Sequence, residues 1–271
     1  MLIRVGYEIA FGFSQPTAVL MMLYVHPSRA WAIRKPERLE VQPCVPISEF
    51  VDSFGNRCGR LFAPAGRMVL RNDAVVEDSG QPDPQAWNTP QHNVQDLPDD
   101  VLLYLLASRY CEVDSELKDL AGNLFNSTPP GWARVQSICN FVNRHITFGY
   151  KFACPTRTAS EAFHERQGVC RDYAHLAIAL CRCLNIPARY CTGYLGDIGI
   201  PPVDAPMDFA GWFEAYIGGA WYTFDARNNA PRVGRVLIAR GRDAADVAIS
   251  MTFGPNVLEG FRVWADEVKG V

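Results

Sequence analysis

Gly168-Val169-Cys170-Arg171-Asp172-Tyr173-Ala174-His175-Leu176, continued by Ala177 to Leu184, is the stretch whose reading decides the fold. From Val169 to Leu184 apolar residues fall nearly all round a helical projection and leave a polar strip of Arg171, His175 and Arg182, so the spacing predicts a largely buried helix. Asn185-Ile186-Pro187 stops it, because a residue before proline is pushed out of the α region. Cys170 opens this helix. Its sulfur would sit beside the unpaired N–H groups of the first turn and the positive end of the helix dipole, which favours thiolate and is how a nucleophilic cysteine is usually placed. A small residue chosen for packing is the alternative, and spacing alone does not decide between them.

Working outward, Ala188–Leu195 reads as a strand, and a Pro-rich loop from Gly199 to Asp208 leads to strands over Trp212–Ile217 and Trp221–Asp225. Gly218-Gly219 between them is a two-residue hairpin signal. With those glycines as the loop, Trp212 faces Asp225 and Ala210 faces Arg227, so position 210 and Asp225 become diagonal neighbours within about 7–8 Å on one sheet face. On the other side, Thr128-Pro129-Pro130 starts a helix with Trp132, Val135, Cys139, Val142 and Ile146 on one stripe. Thr158-x-x-Glu161 matches a capping box for a short helix.

The first third carries a different period. Ile3, Val5, Tyr7 and Ile9 alternate with Arg4, Gly6 and Glu8, and Ala18–Val25 reads as a second, fully covered strand. Asp52 to Arg57 is a tight-turn sequence, and Met68–Leu70 and Ala74–Val76 flank Asn72-Asp73 as a hairpin candidate. From Asp78 to Asp100 the composition shifts to Pro, Gln, Asn and Asp, and beyond it Val101–Ser108 and Ser115–Phe125 read as helices. The expected organisation is a β-rich module over 1–85, a linker with helices over 86–126 and a core over 127–271.

Bulk properties narrow the function classes. With 48% hydrophobic and 20% charged residues in 271, disordered and fibrous classes are excluded. A net charge of −3 gives no electrostatic case for nucleic acid or an anionic membrane. The longest apolar run, Ala18–Val25, is far short of the ~20 residues that span a bilayer, and Met1–Phe11 alternates instead of forming a signal-peptide block, so the expected compartment is the cytoplasm. Nine cysteines, an odd count in a chain with a good core, favour reduced thiols. The close pair Cys181-x-Cys183 lies inside the apolar helix with no histidine at ligand spacing, so neither a metal nor another cofactor is expected. Arg232, Arg235, Arg240 and Arg242, interleaved with Val236, Leu237 and Ile238, read as a strand with solvated or ion-paired arginines.

The cysteine stretch, followed by Arg182, Asn185-Ile186-Pro187-Ala188-Arg189-Tyr190 and Gly193-Tyr194, resembles the cysteine motif of the bacterial transglutaminase-like superfamily. Trp212-Phe213-Glu214-Ala215-Tyr216, then Trp221 and Phe224-Asp225, resembles its second and third motifs, and the three together cover roughly 130–230. The resemblance implies an α+β, papain-like core with the cysteine helix packed on an antiparallel sheet, preceded by an all-β N-terminal module, and a Cys-His-Asp triad for amide cleavage or acyl transfer. One position departs. The family places its histidine two residues before the tryptophan, and Ala210 stands there. His175 lies about 140° around the helix from Cys170 and points away, and His26, His92, His145 and His164 could reach a cleft only through tertiary packing.

Two functions from different classes follow. In the first, Cys170 is the nucleophile and Asp225 the remaining triad acid, acting on a peptide or isopeptide amide with hydrolysis favoured over cross-linking. In the second, motivated by Ala210, a catalytically disabled scaffold binds a peptide or a partner protein. Losing one triad member typically costs ~10⁴–10⁶ in turnover, so the missing base weighs heavily. Asp225 could equally pair with Arg227 or cap a turn. Substrate, acyl acceptor and oligomeric state are left open.

Overall fold

The computed structural model describes residues 1–203 and 206–269, so Asp204 and Ala205 of the Pro-rich loop and the last two residues of the expected core lie outside the described residues. The β-rich part comprises β1 (Leu2–Phe13), β2 (Thr17–Met21), β3 (Ile33–Lys35), β4 (Glu40–Gln42), β5 (Ser48–Val51), β6 (Arg57–Ala63) and β7 (Gly66–Glu77). The period-2 pattern of β1 does what it implies, with Ile3, Val5, Tyr7 and Ile9 buried. β1 pairs antiparallel with β7, and β2 with β6, in two separate sheets whose inner residues join one apolar cluster.

The hairpin expected at Asn72-Asp73 is absent: β7 runs straight through, with Asn72 opposite Tyr7 and Asp73 opposite Gly6. Both polar residues find partners inside the strand. The buried Asn72 accepts from Arg38 N–H at 3.1 Å and donates to Glu37 at 3.2 Å, while Asp73 accepts from Arg4 and Lys35 at 2.6 and 2.7 Å. A turn is unnecessary once those groups are satisfied.

Residues 78–98 are strapped to the core. Trp132 N–H donates to Thr89 carbonyl at 3.0 Å, Gly218 N–H to Pro90 carbonyl at 2.9 Å, and Gln91 Nε2 to Leu184 carbonyl at 2.8 Å. The contact at Trp132 demands glycine before it, since Gly131 has φ +102° and a Cβ there would collide with Thr89.

The helices are α1 (Asp99–Leu102), α2 (Leu117–Phe125), α3 (Trp132–His145), α4 (Ala159–Glu165) and α5 (Cys170–Cys183), with short strands β8 (Thr147–Phe148) and β9 (Gln167–Gly168) paired in parallel between them. The helix expected over 101–108 is cut to one turn plus a 3₁₀ turn ending at Leu105. Arg182 explains this, because its guanidinium takes Leu106 carbonyl and Ser108 Oγ, both at 3.0 Å. The capping box of α4 is present: Thr158 Oγ1 accepts from Glu161 N–H, and the Glu161 carboxylate accepts from Thr158 N–H at 2.8 Å.

Helix α5 packs on a four-stranded antiparallel sheet ordered β12-β11-β10-β13, where β10 is Ala188–Leu195, β11 Ala210–Ile217, β12 Ala220–Phe224 and β13 Arg235–Gly241. The hairpin register is the one the glycines imply, with Ile217 opposite Ala220 and Phe213 opposite Phe224. Gly218 and Gly219 adopt φ +57° and +83°, as a tight primed turn requires. The fold is therefore α+β, a helix on an antiparallel sheet beside a β-rich N-terminal module.

The chain then leaves the core. β14 (Ser250–Thr252) pairs with β2, and β15 (Asn256–Glu267) pairs with β1 along its length. Residues 250–267 are thus strands of the N-terminal sheets, a correction to the expected 127–271 core; the free edges of β1 and β2 supply the hydrogen-bonding groups that draw them back. Among the described residues no helix is long and apolar enough to cross a membrane.

Trp132 ties strap, helix and hairpin together, with Trp87, Tyr222 and Phe224 ring centroids at 5.7, 5.6 and 4.6 Å. Trp132→Ala should cost about 3–5 kcal/mol, read as a fall in the urea midpoint at unchanged slope; a midpoint within error of wild type would refute the role of this cluster.

Candidate functional site

The start of α5 is locked in place by Asp172. Its Oδ2 accepts from Val169 N–H at 2.8 Å and from Arg157 Nη1 at 3.2 Å, and Arg157 also holds Glu165 at 2.8 Å. A Cβ on Gly168 would run into the Asp172 carboxyl, which accounts for the glycine two residues before the cysteine. Arg171 turns outward to the carbonyls of Pro155, at 2.7 Å, and Cys154.

Cys170 is half-buried and borders two cavities. One, of about 730 Å³, is walled by Ile9, Phe11, Tyr190, Phe209, Leu258 and Phe261 among others. The other, of about 700 Å³, includes Tyr150, Asp208, Ala210, Gly211, Arg227 and Asn228. Any side chain at 211 would strike the Tyr190 hydroxyl. Burial pushes the Cys170 thiol up to about 11, with Asp208 and Asp225 adding to the rise and Gly211 N–H and Arg227 opposing it.

That acts against the helix start, which by its position favours thiolate. A helix end contributes only ~0.3–1 kcal/mol, and the desolvation of the sulfur outweighs it.

No imidazole compensates. Among the described residues no histidine lines either cavity. His175 is buried, accepts from Ala244 N–H at 3.1 Å and stacks on Tyr110. His145 Nε2 lies 2.7 Å from Phe163 carbonyl, and His164 meets Glu116 at the surface at 2.5 Å. His26 bonds Ser28, and burial together with Arg240 and Arg189 lowers it to about 4; His92 faces Tyr216. Tertiary packing thus brings none of them to the cysteine.

Asp225 is buried just beyond β12, and its carboxylate is already committed. Oδ2 accepts from Arg235 Nη2 at 2.8 Å and Asn228 Nδ2 at 2.7 Å, and Oδ1 from Asn228 N–H at 2.9 Å. Burial raises its pKa, but the Arg235 charge and the two Asn228 bonds outweigh that and hold it below the usual carboxylate range. It caps a turn, as one sequence reading allowed, and its cation is Arg235, not Arg227. Arg235 crosses the Trp212 ring at 5.1 Å and is gripped from behind by Asp83 of the strap at 2.9 Å. Sequence reasoning missed Arg235 and Asp83 as parts of the site; the apolar interleaving around Arg235 identified an ion-paired strand but could not name the partners.

A buried cysteine helix on an antiparallel sheet, with the Trp212 hairpin presenting an acid beside it, defines a protein of the transglutaminase-like superfamily, to which this chain belongs. The sequence signature of the "Transglutaminase-like superfamily" core matches residues 118–226. The chain is similar throughout to a solved structure described as "a Putative Cysteine Protease from Cytophaga hutchinsonii", with TM-score 0.85, 32% identity, and coverage of 100% of this chain and 92% of that one. An uncharacterized protein of Mycobacterium leprae is 35% identical over 224 residues, 78% of this chain and 77% of the relative. One from Mycobacterium tuberculosis is 24% identical over 231 residues, 78% and 73% of the two chains.

Thiol reactivity should invert the order that the motif suggests. A hydrogen bond from the Thr156 hydroxyl, aided by backbone N–H groups, lowers the Cys154 thiol below its ordinary value. With iodoacetamide at pH 8, mass-mapped peptides should show Cys154 labelled well before Cys170, and the Cys170 rate should climb about tenfold per pH unit through pH 10. Preferential Cys170 labelling with a plateau below pH 8 would overturn this account.

Proposed function

We propose that this protein uses its transglutaminase-like cleft to bind an extended peptide or protein segment and does not turn over amides at a useful rate. One observation carries this reading: Cys170 and Ala210, which stands at the position of the expected base, border one cavity, and among the described residues no histidine lines that cavity or its neighbour. A protonated thiol with no proton acceptor leaves nucleophilic catalysis without its activated form. The capture of Asp225 by Arg235 and Asn228 supports the same reading, because its carboxylate is held by a guanidinium and an amide. Neither nucleic acid nor a membrane surface belongs to this proposal, in keeping with the chain's slightly acidic balance.

A second reading, slow Cys170-dependent hydrolysis of a peptide amide, is favoured by the retained helix start at Cys170, whose N–H groups are donors suited to a developing oxyanion. The two part on turnover. With fluorogenic casein and peptide anilides, wild type and Cys170→Ala should give the same background rate; a wild-type rate at least tenfold above Cys170→Ala would establish the second reading.

Ala210→His tests the geometry itself. Position 210 and Cys170 border one cavity, and the hairpin register puts 210 on the Asp225 face. The variant should lower the Cys170 pKa by more than one unit, seen as an alkylation profile shifted to lower pH, and raise any amidase rate. An unchanged profile in a folded variant would mean that 210 is not the position of the missing base.

A further inference from the structure

We infer that the cavity beside Cys170 walled by Ile9, Phe11, Leu258 and Phe261 receives a peptide strand that adds to the open edges of β14 and β15 and places an acidic side chain on Arg109. The inference rests on the peptide-binding reading above and names what the peptide must look like. Its first support is the topology. β15 ends one sheet and β14 ends the other, so each presents a row of unpaired backbone groups, and residues of both border the cavity. An open edge is a template for one more strand.

The side chains along that edge are of the kind a partner covers. Val257, Leu258 and Phe261 are 65, 54 and 43% exposed, and Leu258 and Phe261 continue inward to Ile9 and Phe11 of β1. Scattered exposed apolar residues need no explanation, but a run of them leading into a cavity marks an interaction surface.

Charge supplies the third feature. Tyr110 is flanked by two guanidinium groups, Arg109 at 5.2 Å and Arg171 at 4.9 Å from its ring centre. Arg171 is engaged by the carbonyls of Pro155 and Cys154. Arg109 is exposed and, among the described residues, has neither a carboxylate nor a carbonyl partner. Held by stacking at the mouth of an apolar groove, it is placed to take a carboxylate through paired N–H donors. The three requirements converge on one ligand class: an extended segment with apolar residues and one Asp or Glu.

The test displays random decapeptides on phage against the immobilised full chain, and then measures the selected peptides by anisotropy, by hydrogen exchange and by protection of Cys170 from iodoacetamide at pH 9. Expected are sequences enriched in Asp or Glu beside apolar residues, slowed exchange at Ser250–Thr252 and Asn256–Phe261, and protection of Cys170. Arg109→Gln should erase the acidic enrichment and weaken a selected peptide about fivefold, with no effect on its Glu→Gln counterpart, and Leu258→Asn should weaken both peptides by a similar factor. Both positions are exposed, and an unchanged melting temperature verifies folding. Peptides that protect Cys170 without acidic enrichment, or without slowed exchange on β14 and β15, would overturn the inference and leave cleft binding standing. Failure to select any peptide that protects Cys170 would overturn both.

Discussion

The buried guanidinium of Arg235 holds the site together. It lies between Asp83 and Asp225 with 8% of its side chain exposed, and so joins the strap, the first residue of β13 and the turn after β12. Removing one member of a buried ionic group strands the others in low dielectric at ~3–5 kcal/mol, which makes the arrangement all-or-none. The same bond explains how Asp225 remains an ionised, ordered carboxylate without the imidazole that the family pattern supplies. Arg235 gives it a permanent positive partner, and Asn228 donates two further hydrogen bonds.

Cys170 shows the converse, a group whose surroundings do not favour its charged form. Helix position and backbone N–H donors act in one direction, while desolvation and the neighbouring carboxylates act in the other. Desolvation prevails because a sulfur packed against protein loses more hydration than one helix end returns. The outcome is a cysteine in the position of a nucleophile whose thiol is held above its ordinary range.

Much of the architecture was legible because it is local. The Gly218-Gly219 register, the capping box at Thr158 and the buried helix after Gly168 depend on residues a few positions apart, where steric rules act directly. What escaped reading was long-range. Asn72-Asp73 looked like a turn, yet Glu37, Arg38 and Lys35 satisfy it within a straight strand. The shortening of the helix after Val101 depends on Arg182, and the return of residues 250–267 depends on edges laid down by the first two strands. At the site, the cysteine and the acid could be located from pattern, whereas the acid's partner and the sulfur's burial exist only after packing.

The pairing of β15 with β1 bears on how the chain is made. While the ribosome synthesises residues 22–249, β1 and β2 wait without β15 and β14, their partners on one side. The nascent N-terminal module must therefore persist with sticky edges until the final strands emerge, an interval in which holding by a chaperone competes with association between polysomal neighbours.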